Sequence, residues 1–195
     1  MMWAARAEDG YLIGGLTRDC LETLRGVPML VESSDPRVRE RLLPETYDSV
    51  EDEQQWREHA TPELERLFMS RLQIVRKDLA AVRKLEAVDS WVLFLPDTHG
   101  NAWLASLNAA RLSLYVLNDL DASHLERDGD ERCTEKQREA VWRIQFLAEI
   151  QCILMGEMEA MDDFDEQGDG SYSDDGADDE GPCTDTDDGP TPPRP

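Results

Sequence analysis

The sequence predicts a mainly α protein: a compact helical bundle with a small two-stranded β patch and a disordered acidic C-terminal tail. Three observations carry this reading. Between Leu64 and Leu85 apolar residues recur every three or four positions, the spacing of one face of an α-helix. The run Trp91-Val92-Leu93-Phe94-Leu95, closed by Pro96, is a compact β-prone stretch whose backbone needs a strand partner. After Gly156 the chain turns to Asp, Gly, Ser and Pro, with too few apolar side chains to offset an ordering entropy of ~1–2 kcal/mol per residue. Residues 1–10 therefore read as a flexible N-terminus, 11–156 as the helical domain and 157–195 as the tail.

In chain order, Tyr11-Leu12-Ile13 reads as a short strand that turns at Gly14-Gly15. Thr17 suits an N-cap, with Leu16, Cys20, Leu21 and Leu24 on one face of the helix it opens. Gly26 and Pro28 are expected to end, kink or restart that helix. Asp35-Pro36 supplies a cap and a proline for the first turn of a second helix, which Pro44 stops. The acidic run Glu51–Ala60 reads as a short exposed helix carrying Trp56. Thr61-Pro62 then looks like the start of the long amphipathic helix, which runs to about Ala87.

The Trp91–Leu95 strand is expected to pair with Tyr11–Ile13. Asp97 or Thr98 should cap a further helix that ends near Asn118, and the polar stretch Asp119–Arg132 reads as a connecting loop. Thr134, with Glu135 and Gln137 in the following turn, opens the last helix. The expected centre is Trp103, Leu107, Leu112, Trp142, Phe146, Leu147 and Ile150, packed on Phe68, Leu72, Val75 and Leu79.

The formal net charge is -23. From Glu157 onward 15 acidic residues face a single base, Arg194, so the tail carries -14 and the body -9. That excess argues against a nucleic-acid binder, which must neutralise phosphates with Lys and Arg, and against docking on an anionic membrane surface. No apolar run approaches the ~20 residues of a spanning helix, no leader is visible, and Cys20, Cys133, Cys152 and Cys183 show no disulfide framework. The expected compartment is the cytoplasm.

The chemistry-bearing motifs are few. Metalloprotease, nucleophile-elbow, P-loop and dinucleotide patterns are all missing, and His59, His99 and His124 fall in separate elements, where they read as exposed and without function. No enzyme, metal or cofactor is expected. Asp163 to Asp174 partly follows a calcium loop, but Gln167 and Asp174 break the ligand pattern, and in so acidic a stretch the match reads as coincidence. Arg66, Lys77 and Lys84 fall on the polar side of the long helix, as a basic patch for a partner or as a solvated face. Asn108 and Arg111 share a face of an otherwise apolar helix, as part of a binding site or as a lock in which Arg111 pairs with a carboxylate.

Three segments together resemble a known family. They are Asp35-Pro36 through Leu42-Leu43-Pro44 to Tyr47, the helix Asn101-Ala102-Trp103 through Asn108 to Arg111-Leu112, and the closing helix Phe146–Gly156. In this order they resemble the bacterial domain of unknown function two-thousand-and-seventeen, over Tyr11 to Gly156. The resemblance implies a cytoplasmic protein with no established activity, catalytic residue or cofactor, and a link to Clp-type regulated proteolysis through gene neighbourhood. Ala109 stands where the family usually has Asp, and the acidic tail looks like an addition.

The expected function is a non-enzymatic regulatory or protein-interaction role with a protein partner. The alternatives are an acidic tail that mimics nucleic acid or shields the Arg66–Lys77–Lys84 column, and an enzyme whose site assembles only in three dimensions. Composition and spacing set no oligomeric state.

Overall fold

Side chains that satisfy otherwise orphaned backbone groups set the helix boundaries. The computed structural model describes residues 2–126 and 133–156. The expectations for the acidic tail, Cys183 and the Asp163–Asp174 match lie outside them. Thr17 Oγ1 accepts from the Cys20 N–H (3.3 Å) and opens α1 (Arg18–Val31). Asp35 accepts from the Arg37 N–H (2.9 Å) and opens α2 (Pro36–Leu42), with Pro36 in its first turn. Thr134 and Gln137 form a reciprocal capping box at the start of α6 (Glu135–Met155), whose end is turned by Gly156 at φ 72°. Each such cap stabilises its helix by ~1 kcal/mol.

Two expected helix breaks do not occur. α1 runs through Gly26 and Pro28 because Leu24, Val27 and Pro28 are all buried on its inner face. Their burial outweighs the one hydrogen bond that proline withholds. Likewise Thr61-Pro62 does not start a helix. Thr61 lies buried inside α3 (Val50–Ala80), which Ser49 caps on the Asp52 N–H (3.3 Å). Glu53 folds the preceding loop onto α3 by accepting from the Thr46 and Tyr47 N–H groups (2.9 and 3.1 Å), and Tyr47 meets Trp56 edge-on at 5.9 Å. The acidic run is thus the first part of one long helix.

α3 also ends earlier than its apolar spacing suggests. Arg83–Leu85 forms β3, paired antiparallel to β4 (Ser90–Pro96). A helix extended to Ala87 would leave two residues, Val88 and Asp89, to reverse the chain and an unpaired edge on β4. β4 also pairs antiparallel with β2 (Gly10–Leu16), setting Tyr11 opposite Leu95 and Ile13 opposite Leu93, as the sequence predicts. The patch is not two-stranded, however. With β1 (Trp3–Ala7), which forms where a flexible N-terminus is expected, the order is β1-β2-β4-β3 in one antiparallel sheet of four strands. Arg6 of β1 reaches over Tyr11 (4.5 Å to the ring centre) to grip Asp97 at 2.6 and 2.7 Å. That contact holds the Asp97 carboxyl below its ordinary range.

One face of the sheet presents Ile13, Leu93 and Leu95, all fully buried, to the helices. Across from them lie α1, α3, α6 and α4 (Gly100–Leu117), the last starting after His99 with no side-chain cap, where Asp97 or Thr98 is expected to supply one, and with Asn118 as its C-cap. A short α5 (Ala122–Glu126) stands where an irregular loop is expected. Of the expected centre, Trp103, Leu107, Phe146, Leu147, Ile150, Leu72, Val75 and Leu79 are buried, while Leu112 and Phe68 are partly buried. Trp142 instead lies 41% exposed, stacked on Phe146 at 5.7 Å.

Two glycines give opposite expectations. A Cβ on Gly10 would stand 2.1 Å from the Leu95 carbonyl oxygen and 2.9 Å from Pro96 Cα, so β2 and β4 must part to admit it. Gly26, inside α1, has nothing within 4 Å of that position. Gly10→Ala should cost about 1–3 kcal/mol in urea unfolding, whereas Gly26→Ala should gain up to ~1 kcal/mol.

Candidate functional site

A half-open cleft lies where β2 passes into α1 beside the β3–β4 hairpin. It is built from a local irregularity. β2 slips register between Ile13 and Leu16, with Gly15 at φ 66°, which turns Leu16 fully inward and brings the start of α1 up to the sheet edge. Gly14, with no side chain, lets the Trp3 indole lie across the backbone, where a Cβ would come within 2.0 Å of the ring. The result is a half-open cleft of about 890 Å³ with Trp3 and Trp91 among its walls and Arg18, Arg25 and Lys84 as its cations.

The charges of the cleft are mostly committed. Arg18 Nε donates to Glu22 (2.8 Å), and Lys84 Nζ lies 2.9 Å from Asp89, which occupies the left-handed region at φ 44° in the hairpin turn. The carboxylates Asp89 and Glu86 hold Lys84 above its ordinary range, while its ammonium stands 5.7 Å from the Trp91 ring centre. Arg25 has no ion pair among the described residues. Leu85 and Val88 keep their apolar surface in solvent at the rim, 38% and 67% exposed. Glu22 and Asp89 are thus each bound to a cation of the lining. The lining offers an apolar rim together with indole faces and a guanidinium with no ion pair among the described residues, the last two being side chains that dominate binding hot spots.

The sequence-predicted residues fall in three places. Arg66 and Lys77 lie exposed on α3, where Arg66 pairs with Glu63 at 2.5 Å. Lys84 leaves their column, because α3 ends at Ala80, and joins the cleft instead. On α4, Asn108 is exposed, while Arg111 is partly buried and donates to Gln151 Oε1 of α6 (2.5 Å). Gln151 in turn donates to the Leu104 carbonyl (3.1 Å), so Arg111 ties α4 to α6 through an amide rather than the expected carboxylate.

A further cluster was hidden by reading His99 as exposed. Asp78, on the buried face of α3, accepts from the Trp103 indole N–H (2.8 Å) and from His99 Nδ1 (2.9 Å). The Asp78 side chain is 8% exposed and that of His99 24%. The available signal was a carboxylate set between Val75 and Leu79 on an apolar stripe, where a charge needs partners. The cluster binds α3 to the start of α4.

Residues 6–158 match the family model described as Domain of unknown function (DUF2017). The chain belongs to this family. No curated protein and no solved structure matches it. The DUF2017 match takes in Asp78, His99, Arg111 and all of the cleft except Trp3, whereas most of the acidic segment after Gly156 lies beyond it. Among the described residues of this DUF2017 chain, no helix is long and apolar enough to cross a membrane.

Removing the shared acceptor tests the buried cluster. Asp78→Ala strands the Trp103 N–H inside the core and should cost about 2–4 kcal/mol in urea unfolding, with His99→Ala costing less because that ring keeps access to water.

Proposed function

We propose that the chain is a non-enzymatic interaction protein with a regulatory role, and that the cleft between α1 and the β3–β4 hairpin holds an acidic segment of a protein partner. The single observation that carries this reading is the cleft's lining: two indoles, an apolar rim and Arg25, midway along α1, which forms no ion pair among the described residues. A partner carboxylate would meet the Arg25 guanidinium. An adjoining apolar or aromatic side chain would pack on Trp3, Trp91 and Val88. The link to Clp-type regulated proteolysis rests on the family resemblance, and the cleft would be the surface through which such a contact is made.

The test is titration of the full chain with a labelled acidic peptide carrying one central Leu, read by fluorescence anisotropy and by the tryptophan emission. Binding should be saturable and should weaken as salt shortens the Debye length below ~10 Å. Arg25→Glu with Lys84→Glu should weaken it by about tenfold or more, since both changes place like charge against the ligand. Equal affinity for a basic peptide of the same length, or no effect of the double substitution, would remove the cleft from the function.

A further inference from the structure

α3 is charged unequally along its length. Over residues 50–65 six acidic residues stand against the single base Arg57, and over 66–80 four basic residues stand against Asp78, which is buried. Some of these charges are used within the chain: Glu53 with Arg57, Glu63 with Arg66, Glu65 with Arg39, and Arg76 with Glu32. Asp52 at one end and Lys77 at the other form no ion pair among the described residues. The helix dipole favours such a distribution, but only within the first and last turns. The inversion at the middle of a helix ~46 Å long has another consequence.

A second feature lies on the same helix. Trp56, Ala60, Leu64, Leu67, Arg71 and Ile74 follow one another at intervals of four, four, three, four and three residues, the spacing of a coiled-coil seam. They run beside the buried residues Leu72, Val75 and Leu79; Leu67 is 43% exposed, the other five are partly buried, and the seam stops at Asp78, which His99 and Trp103 cover. At ~100° per residue, Asp52, Glu63, Arg66 and Lys77 fall together on one flank of that seam.

We infer that α3 is the contact face for a second copy of this chain, packed antiparallel about a two-fold axis between Leu64 and Leu67. In that register Leu64 meets Leu67 of the second copy, Ala60 meets its Arg71 and Trp56 its Ile74. On the flank, Lys77 faces Asp52 of the other copy and Arg66 faces its Glu63, and the symmetry makes each pair twice. The charge pattern selects a copy over a foreign partner. An acidic or a basic partner lying along α3 would match one half and be repelled by the other, whereas an antiparallel copy matches both at once. The net charge of -23 on each chain opposes the association, so it rests on the seam and on these local pairs. It uses α3 residues outside the cleft lining and stands or falls apart from the acidic-segment reading.

The experiment uses full-length chains in sedimentation equilibrium and light scattering. The unaltered protein should show twice the 22.2 kDa chain mass at high concentration. One variant carries Arg66→Glu and Lys77→Glu, the other Asp52→Lys and Glu63→Lys. Each alone sets like charges together across the axis and should weaken self-association by roughly tenfold or more, with circular dichroism confirming that the helices remain. Mixed in equal amounts, the two variants should form a one-to-one heterodimer, because every flank pair becomes complementary again. A monomer at all concentrations, a dimer indifferent to both double substitutions, or folded variants that do not combine when mixed would each overturn the inference. Leu67→Lys, which should give a folded monomer without touching the flank charges, tests the seam itself.

Discussion

The pairing of β2 with β4 closes a loop that contains α1, α2, α3 and β3, and the rest of the structure depends on that closure. Such a contact must overcome the chain entropy of a long loop before it returns any stabilisation. It does so through burial: Ile13, Leu93 and Leu95 share one face and are removed completely from water. The strands lie so close at Gly10 that no Cβ fits, which ties the register to one small residue. Once the strands are joined, β1 and β3 add to the open edges, and the helices gain an apolar floor. Arg6, spanning from β1 to Asp97, fastens the edge strand to the far end of β4.

α3 links the two ends of the molecule's chemistry. Its C-terminal half is structural: Leu72, Val75 and Leu79 enter the core, and Asp78 carries the only carboxylate among the buried described residues. Burial of that carboxylate is tolerable because an indole N–H and an imidazole both donate to it. The N-terminal half contributes less to the core and is held by Ser49, Glu53 and the Tyr47–Trp56 contact. One helix therefore anchors the fold at one end and extends an acidic, partly apolar surface at the other.

Local chemistry was legible in the sequence wherever a side chain served its own neighbourhood. Thr17, Asp35 and Thr134 announce their helices, and the β2–β4 pairing follows from two apolar runs with no other partner. What the sequence concealed was decided at a distance. Val82 and Leu85 continue the helical spacing of α3, yet the open edge of β4 draws Arg83–Leu85 into a strand. Pro28 and Pro62 look like breaks, yet each sits inside a helix whose flanking residues are secured, Pro28 by core burial and Pro62 by the buried Thr61 and the cap at Ser49. The cleft was illegible for the same reason. Trp3, Arg25 and Lys84 lie on β1, α1 and β3, with no spacing to connect them, and only the bulge at Gly15 brings their elements to one edge.

The proposed reading of the cleft as a recognition surface rests on the chemistry of its lining. The cleft's Glu22 and Asp89 are each paired with a cation of the lining. Asp78, the one buried carboxylate among the described residues, spends its lone pairs on Trp103 and His99 where α3 meets the start of α4. The groups left unspent are indole faces, apolar rim residues and a guanidinium, which gain free energy by being covered rather than by exchanging protons.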